Sequence, residues 1–187
     1  MRDRAATRRR ILDAAYTLFY RRGYARVGVD AVAEQAGVTK RTLYDHFPSK
    51  DELLAAVFEL HHELALKQIE RWGGRASGNA AEMIDALFAD LARWAAKPRW
   101  SGPGFTRLVM ELADLPGHPA RAIARRHKAM VEAWFEREFI KRKVKAPAEC
   151  ARSLVLLLEG ANAMVLIHGD GAYIAAAAEA AKRLLKR

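Results

Sequence analysis

Apolar residues recur three and four positions apart along most of the chain, which is the period of an amphipathic α-helix. Near the start, residues 11–19 carry one such stripe and residues 29–36 carry another. Alternation with a period of two, which would indicate strands, is absent, and Ala, Leu, Glu and Arg dominate. We therefore predict an all-α fold.

Interruptions of this apolar periodicity predict where the later helices begin and end. Clusters of Gly, Pro, Ser and Asn separate the periodic segments, and such residues end or interrupt helices. Ser49 with Glu52 three residues later is a capping box, which marks the start of the next helix. The predicted helices after the first three span residues 49–72, 79–97, 103–113, 119–143, 147–168 and 171–186. The total is about nine helices, with no internal repeat and no long linker.

The segment 36–54 is the most informative part of the chain. Gly37 can take the left-handed conformation that ends one helix, and Thr39 can cap the next helix through its hydroxyl. Leu43 and Phe47 lie four positions apart and would pack inward, which leaves other side chains of the same short helix free. Two helices joined by a tight glycine turn form a helix-turn-helix unit, whose second helix enters the DNA major groove. By spacing alone, an ordinary bundle of capped helices is an equal alternative.

Residues 7–54 also closely resemble the DNA-binding domain of the tetracycline-repressor (TetR) family. The matching pieces are Thr7, Ile11–Ala15, Leu18–Phe19, Gly23–Tyr24, Val32–Ala33, Ala36–Thr39, Thr42–Tyr44, His46–Phe47, Ser49–Lys50 and Leu53. They cover about a quarter of the chain, and the match is highly specific. The family usually has Ser or Thr just before the second helix, whereas Val27-Gly28 stands here. This helix should therefore lack a hydroxyl cap and one phosphate contact.

The resemblance implies a DNA-binding domain at residues 1–50 and an effector-binding and dimerisation domain at residues 51–187. Lys40 and Arg41 would contact base edges or phosphates, since Lys or Arg to guanine is the commonest specific pairing. The other residues that the resemblance places at DNA, mainly at phosphates, are Thr39, Thr42, Tyr44, His46 and Lys50. The arginines at positions 8–10 would either touch phosphates or belong to a flexible, solvated tail.

Charge supports the same interpretation. The formal net charge is +10, and it is concentrated at the start of the chain. Residues 1–50 hold 11 of the 32 Lys and Arg residues but only 5 of the 22 Asp and Glu residues. A basic segment of this kind is the electrostatic footprint of a DNA-binding domain. The partner that this implies is double-stranded DNA, in the form of a palindromic operator if the protein is a dimer.

The single cysteine, Cys150, leaves no possibility of an intramolecular disulfide and suits a reducing cytoplasm, where we expect the protein to act. Cys150 lies in an apolar helix and is interpreted as a small core residue. The run Leu154–Ile167 is strongly apolar, but Arg152 and Glu159 fall within any window long enough to span a bilayer, so no transmembrane helix is predicted. The arginine-rich start does not match a signal peptide, because charges close its apolar stretch and no small-residue cleavage site follows.

The last two predicted helices are apolar over most of their circumference, which requires burial on most sides. Within one chain they would form the domain core. By the family resemblance, they pair with the same helices of a second copy in a four-helix bundle. We favour a homodimer through residues 147–186, because two recognition helices about 34–36 Å apart are needed to read a palindrome.

The C-terminal region also holds candidates for a small-molecule site. Such sites are mostly apolar with a few polar groups, and tryptophans beside adaptable methionines suit an apolar or aromatic effector. The apolar candidates are Trp94, Trp100, Phe105, Met110, Met130, Trp134 and Met164, and the polar candidates are Glu111, His127, Glu159, Asn162 and His168. For each aromatic residue the alternative is ordinary core packing. For Glu159 it is an ion pair with an arginine such as Arg107 or Arg152.

Enzyme motifs are poorly matched. His62-Glu63 resembles the start of a zinc-protease helix, but Leu66 stands where the second histidine ligand would be. The glycines lack phosphate-loop spacing, and no Gly-x-Ser-x-Gly occurs. We predict no catalytic residue, no metal and no cofactor.

Together these patterns predict a homodimeric transcriptional regulator, a repressor that a small effector releases from DNA, with the helix from Ser49 as the lever. One alternative is a constitutive DNA-binding protein of the same fold that acts with a protein partner and has no small-molecule effector. A second is a helical enzyme or sensor that has lost DNA binding.

Overall fold

The structure, a computed structural model, describes residues 2–76 and 78–186, and helices joined by turns make up this part of the chain. The helices are α1 (Arg2–Arg22), α2 (Val29–Ala36), α3 (Lys40–His46), α4 (Lys50–Gly74), α5 (Ala80–Ala95), α6 (Gly104–Met110), α7 (Pro119–Lys141), α8 (Pro147–His168) and α9 (Ala172–Leu184). The all-α prediction is confirmed, and the described residues form the nine helices expected. The predicted ends of α4 to α9 differ from these bounds by at most three residues.

Local hydrogen bonds explain where several helices begin. The Ser49 hydroxyl accepts from the Glu52 N–H at 3.0 Å, which starts α4 as the capping pattern predicts. The Asn79 side chain accepts from the N–H groups of Ala81 and Glu82 and starts α5. Such caps satisfy backbone groups at a helix end that have no partner within the helix.

Helix α6 is shorter than predicted. It ends at Met110, and the chain continues in tighter turns, with the Leu112 N–H bonded to the Val109 carbonyl and the Leu115 N–H bonded to the Leu112 carbonyl. Leu112 is fully buried. The turn therefore keeps this leucine in the core while the chain reverses towards Pro119.

The chain divides into two compact units. The first comprises the residues up to Glu63 together with Gly104–Arg126, and the second comprises Leu64–Pro103 and the residues from His127 onward. Helices α4 and α7 each contribute to both. The functional boundary near residue 50 that the sequence analysis expects stays a prediction.

In the first unit, α1 packs against α2, and α2 packs against α3. The core side chains that are wholly inaccessible to solvent are Ile11, Ala15, Phe19, Val32, Leu43, Leu53, Leu54, Leu112 and Ala120. Burial of such side chains stabilises by roughly 1.5–3 kcal/mol for each Val, Leu, Ile or Phe. This core holds the short helices α2 and α3, which are too short to be stable alone.

In the second unit, α9 packs against both α8 and α5. Its core is formed by residues of α5, α7, α8 and α9, among them Leu87, Leu91, Phe135, Phe139, Ala151, Leu154, Ile174 and Ala181. Cys150 is buried in this core and its thiol donates to the Lys145 carbonyl at 3.5 Å. The prediction that it is a core residue agrees with this position.

Among the described helices, α8 is the one that is long and apolar enough to cross a membrane by length and composition. Core helices of globular proteins often share these properties. Leu154, Leu158, Ala161 and Val165 of α8 are all buried among the core residues of the second unit.

Candidate nucleic-acid interface

The turn between α2 and α3 has the geometry that its glycine predicts. Gly37 has φ +63°, in the left-handed region. Its N–H donates to the Glu34 carbonyl at 3.0 Å, and the Val38 N–H donates to the Ala33 carbonyl at 3.0 Å. This pair of bonds ends α2 with its last carbonyls satisfied and turns the chain sharply into α3.

Helix α3 is capped and anchored as expected. The Thr39 hydroxyl accepts from the Thr42 N–H at 3.1 Å, and the two hydroxyl oxygens lie 2.9 Å apart. Leu43 is fully buried and Phe47 is 2% exposed. Because one side of α3 is held in the core by these residues, its remaining side chains are presented outward at fixed positions.

The outward side chains of α3 are those that the sequence analysis assigned to DNA. Lys40 and Arg41 are exposed, and Tyr44 is 42% exposed. The Lys40 ammonium lies 3.0 Å from a carboxylate oxygen of Asp30, in the first turn of α2. The structure therefore brings two cations and a phenol together on one short, rigid helix, which is the chemistry that base edges and phosphates require.

Lys50, at the start of α4, is held beside this helix by an aromatic ring. Its Nζ lies 4.1 Å from the centroid of the Tyr24 ring, and the Tyr24 hydroxyl donates to the Asp51 carboxylate. Burial lowers the pKa of Lys50, although the charges of Asp51 and Glu111 act in the opposite sense. The half-buried His46 ring lies 6.4 Å from the Phe47 ring.

The arginines near the start of the chain belong to a helix. Positions 8–10 lie within α1, so the flexible-tail alternative is wrong for these residues. Continuous helical periodicity explains this, since Thr7 and Ile11 are buried one turn apart and tie this part of α1 to the core. The Arg8 guanidinium lies 4.9 Å from the centroid of the Phe47 ring, at the end of α3. Arg8 is therefore presented beside the end of α3 rather than on a free arm.

Helix α2 begins without a side-chain cap. Gly28 occupies the cap position with extended backbone angles, and no side chain accepts a hydrogen bond there. The expected loss of the hydroxyl cap is confirmed. Asp30 places a carboxylate in the first turn instead, where it interacts favourably with the free N–H groups of the helix start.

Comparison with known proteins agrees with this geometry. The family described as bacterial regulatory proteins, tetR family, matches residues 11–57. A solved structure of a putative tetR transcriptional regulator from Streptomyces avermitilis superposes with a TM-score of 0.79 at 30% identity, covering 94% of this chain and 98% of that chain. The chain belongs to the TetR family.

Curated relatives match over shorter stretches. The HTH-type transcriptional regulator TtgR of Pseudomonas putida is 46% identical over 57 residues, which is 30% of this chain and 27% of TtgR. The HTH-type transcriptional repressor KstR of Rhodococcus jostii is 37% identical over 104 residues, 55% of this chain and 47% of KstR. The matched region thus spans less than half the length of these two relatives. TetR-family proteins are DNA-binding regulators rather than enzymes, and no group of three potential metal ligands occurs among the described residues.

In this TetR-family protein, the segment after α6 contacts the helix-turn-helix region directly. The Glu111 carboxylate accepts from the Ala25 N–H at 3.0 Å, just before α2. The His118 ring is buried, its Nδ1 accepts from the Ala120 N–H at 3.1 Å, and its Nε2 lies 3.5 Å from the Asp51 carboxylate. Sequence reasoning assigned Glu111 to the effector site and gave no role to His118, because these partners are far apart along the chain.

The predicted effector residues fall into both units. Phe105, Met110 and Glu111 belong to the first unit, where Phe105 packs on Phe58 with ring centroids 4.6 Å apart and Met110 is 68% exposed. The candidates in the second unit are Trp94, Trp100, His127, Met130, Trp134, Glu159, Asn162, Met164 and His168.

Three tryptophans form a half-buried cluster in the second unit. The ring centroids of Trp94 and Trp100 are 5.5 Å apart, and those of Trp72 and Trp94 are 5.9 Å apart. The Trp100 indole N–H is buried and has no hydrogen-bond partner in the described part of the chain. Trp72 was not among the candidates predicted from the sequence. Its position near the end of α4 could have pointed to it. Trp134 packs on Phe135 with ring centroids 5.0 Å apart and belongs to the core against which these three tryptophans lie.

The polar candidates of α8 have different environments. The Glu159 carboxylate forms an ion pair with Lys128 at 2.5 Å. Arg152 pairs with Glu132. Asn162 is buried, its amide donates to the Leu158 carbonyl at 2.8 Å, and its side-chain oxygen has no partner among the described residues. A buried acceptor without a partner costs roughly 1–3 kcal/mol.

Two remaining polar or flexible candidates lie nearer the surface. His168 at the end of α8 is exposed and stacks on Tyr173 at 5.1 Å. Met130 on α7 is 40% exposed, whereas His127 three residues earlier is buried. His168 and Met130 are therefore accessible to solvent, whereas His127 belongs to the interior of the second unit.

Proposed function

We propose that this TetR-family protein is a homodimeric repressor that binds a palindromic operator through α3 and is released by a small, mainly apolar effector. The observation that carries the proposal is the outward face of α3, with Lys40, Arg41 and Tyr44 held by the Gly37 turn and the Thr39 cap. Supporting the repressor role, KstR, a relative over 104 residues, is named a transcriptional repressor.

On DNA, α3 would lie in the major groove. Arg41 is the best base reader, because a guanidinium can bond the O6 and N7 of one guanine at once. Lys50, Thr42, His46 and the arginines at positions 8–10 would contact phosphates, which position the helix without reading sequence. Each phosphate contact should contribute about 0.9 to the slope of log affinity against log salt.

Dimerisation would use the outward faces of α8 and α9. Leu156 and Ile167 of α8 are 68% and 67% exposed, and Leu166 is 44% exposed. Leu156 and Ile167 lie eleven residues apart, which places them on the same side of the helix, three turns from each other. A large exposed apolar face is typical of a protein–protein interface. By contrast, Leu158 and Ala161 of the same helix are buried within the chain.

The effector would be recognised in the second unit. The half-buried indoles of Trp72, Trp94 and Trp100 offer flat apolar surfaces, and the Trp100 N–H and the Asn162 oxygen offer one donor and one acceptor. An aromatic molecule with a hydrogen-bonding group fits this set. Effector binding would favour a form of the dimer in which α3 does not fit both half-sites, with α4 as the lever.

The test of DNA binding is selection from a pool of random duplexes, followed by sequencing. We expect a palindrome whose half-sites are centred about 34–36 Å apart, or one helical turn. Absence of any enriched sequence would contradict the proposal. Transcription from a promoter that carries the enriched duplex should fall when the protein is present, whereas a rise would indicate an activator.

The test of effector control is release of that duplex across a panel of small molecules, with tryptophan fluorescence followed in parallel. A true effector should quench fluorescence and release DNA in the same concentration range. Trp94→Leu and Asn162→Ala should weaken both responses and leave DNA affinity without effector nearly unchanged. If no compound releases DNA but a co-purifying protein changes its binding, the alternative of a constitutive regulator with a protein partner is favoured.

A further inference from the structure

The first residue of α3 is paired with an acid of α2. The Lys40 ammonium lies 3.0 Å from one carboxylate oxygen of Asp30 and 3.1 Å from the other. The hydrogen bond and the charge of Asp30 raise the pKa of Lys40, so the lysine stays protonated while it is paired. Both side chains are more than half exposed, on the helix pair that the proposed function places against DNA.

This pairing changes what Lys40 offers to DNA. An ammonium group has three N–H donors, and one of them bonds a carboxylate oxygen of Asp30. The remaining donors can still bond an acceptor such as guanine O6 or N7. The attraction to a phosphate is reduced, however, because the charge of Asp30 largely cancels that of Lys40 at short range. Arg41, the next residue, has no ion-pair partner within the described part of the chain.

We propose that Asp30 is a specificity-determining residue, because its pair with Lys40 turns a lysine that would bind any phosphate into a nearly neutral donor that reads a base. This inference rests on the proposed contact of Lys40 with DNA. Binding to random DNA is almost entirely a matter of phosphate contacts, so neutralising one cation weakens that binding most. The proposed contact of Lys40 with a base of the operator is a directional hydrogen bond, which is retained while Lys40 is paired with Asp30.

The experiment compares wild-type protein with Asp30→Asn on the enriched duplex and on a random duplex of equal length, over a range of salt. We expect Asp30→Asn to tighten random binding by about 1.4- to fivefold for each α3 on DNA, the range that corresponds to one exposed charge pair. Its salt slope on random DNA should steepen by about 0.9 per α3, the value of one added phosphate contact. Affinity for the enriched duplex should change less. The ratio of affinity for the enriched duplex to affinity for the random duplex should therefore fall.

Two further variants separate this role from a general effect of charge. Glu34→Gln removes an exposed acid from the same helix, one turn from Asp30, and should leave the ratio unchanged. In a Lys40→Met background, Asp30→Asn should no longer alter the ratio or the slope. Asp30→Ala, which also removes the carboxylate, should have the same effect as Asp30→Asn. Thermal unfolding of each variant checks that α2 stays folded.

Three results would overturn the inference. Equal tightening on both duplexes, or the same change from Glu34→Gln, would show that only net charge matters. Persistence of the Asp30→Asn effect in the Lys40→Met background would show that Asp30 does not act through Lys40. If Lys40→Met itself leaves both affinities unchanged while wild-type protein binds the enriched duplex, the contact on which the inference rests is absent although the protein binds DNA.

Discussion

Two neighbouring side chains on α3, Lys40 and Arg41, have the same charge but different surroundings. Lys40 is paired with Asp30, whereas Arg41 is exposed and makes no ion pair in the described part of the chain. A guanidinium is also planar and can bond a guanine through two N–H groups at once. Arg41 is therefore the side chain from which the largest contribution to base reading is expected.

Replacing Arg41 should affect specific binding selectively. We expect Arg41→Ala to weaken binding to the enriched duplex by about 1–3 kcal/mol, because one bidentate base contact is lost, and to relax preference at one position in each half-site. Titrations followed by fluorescence anisotropy measure this. Arg137→Ala, which removes an exposed arginine of α7, is the control and should have no such effect. Equal losses on enriched and random DNA would show that Arg41 contacts only phosphate.

A buried carboxylate in α7 makes stability depend on pH. Glu138 is 9% exposed and accepts from Lys141 at 2.6 Å and from Arg142. Burial alone would raise the pKa of Glu138, but the bonds and charges of Lys141 and Arg142 outweigh it and lower the pKa below the usual 4.5. A lowered pKa in the folded state means that the carboxylate stabilises above 4.5 and that this stabilisation is lost as pH falls through the folded value.

The variant Glu138→Gln should therefore be less stable at neutral pH, by about 1.5–3 kcal/mol, the usual value of hydrogen bonds to a charged group. The difference from wild type should shrink as pH is lowered below 4.5, since the wild-type carboxyl then becomes neutral as well. Urea unfolding across this range measures the free energy. Glu136→Gln, in the middle of the same helix, should show no such trend. If the difference in unfolding free energy between wild type and Glu138→Gln does not vary with pH, the shape of the side chain rather than its charge stabilises the fold.

Most helix ends follow from capping and turn residues close by in the sequence. Packing between helices adds a further requirement, which is space for the neighbouring side chains. The end of α4 illustrates this. Gly73 is buried, and a Cβ at this position would lie 2.5 Å from Cη2 of Trp134, whereas nothing lies within 4 Å of a Cβ at Gly74. The first glycine thus permits α4 to lie close against the indole of α7.

This pair of glycines gives a matched test of helix packing. We expect Gly73→Ala to destabilise the protein by about 1–3 kcal/mol, because the methyl group displaces a buried indole. Gly74→Ala should be neutral or slightly stabilising, since alanine is favoured over glycine in a helix. Thermal or urea unfolding measures both, and tryptophan emission should shift only in the first. Similar stabilities for the two variants would show that Trp134 is free to move aside.

For the molecule as a whole, the outward and inward sides of α8 should behave differently on substitution. Leu156→Glu and Ile167→Glu place charges on the exposed apolar face, so we expect folded monomers in sedimentation at concentrations where wild type is dimeric. Leu158→Glu buries an unpaired charge within the chain and should prevent stable folding. Met110→Glu, an exposed apolar site of the first unit, is the control and should leave a dimer. A wild-type monomer would refute the dimer proposal.

The sequence by itself determined the helices and the helix-turn-helix unit, because their signals act over a few residues. Gly37 bonds to Glu34, Thr39 bonds to Thr42, and the buried stripes repeat with the helical period. The family resemblance assigned the outward residues of α3 to DNA, and the structure agrees that Lys40 and Arg41 are exposed.

Only the tertiary structure decided the partners that lie far apart along the chain. Glu111 bonds to the backbone of Ala25, 86 positions away, and His118 lies beside Asp51, so neither pair leaves a periodic signal in the sequence. The same holds for α8, where apolar residues occur on most sides and periodicity cannot distinguish the side that packs within the chain from the side left exposed. That distinction depends on which helices pack against it. Leu158 is buried in the core of the second unit, whereas Leu156 is exposed.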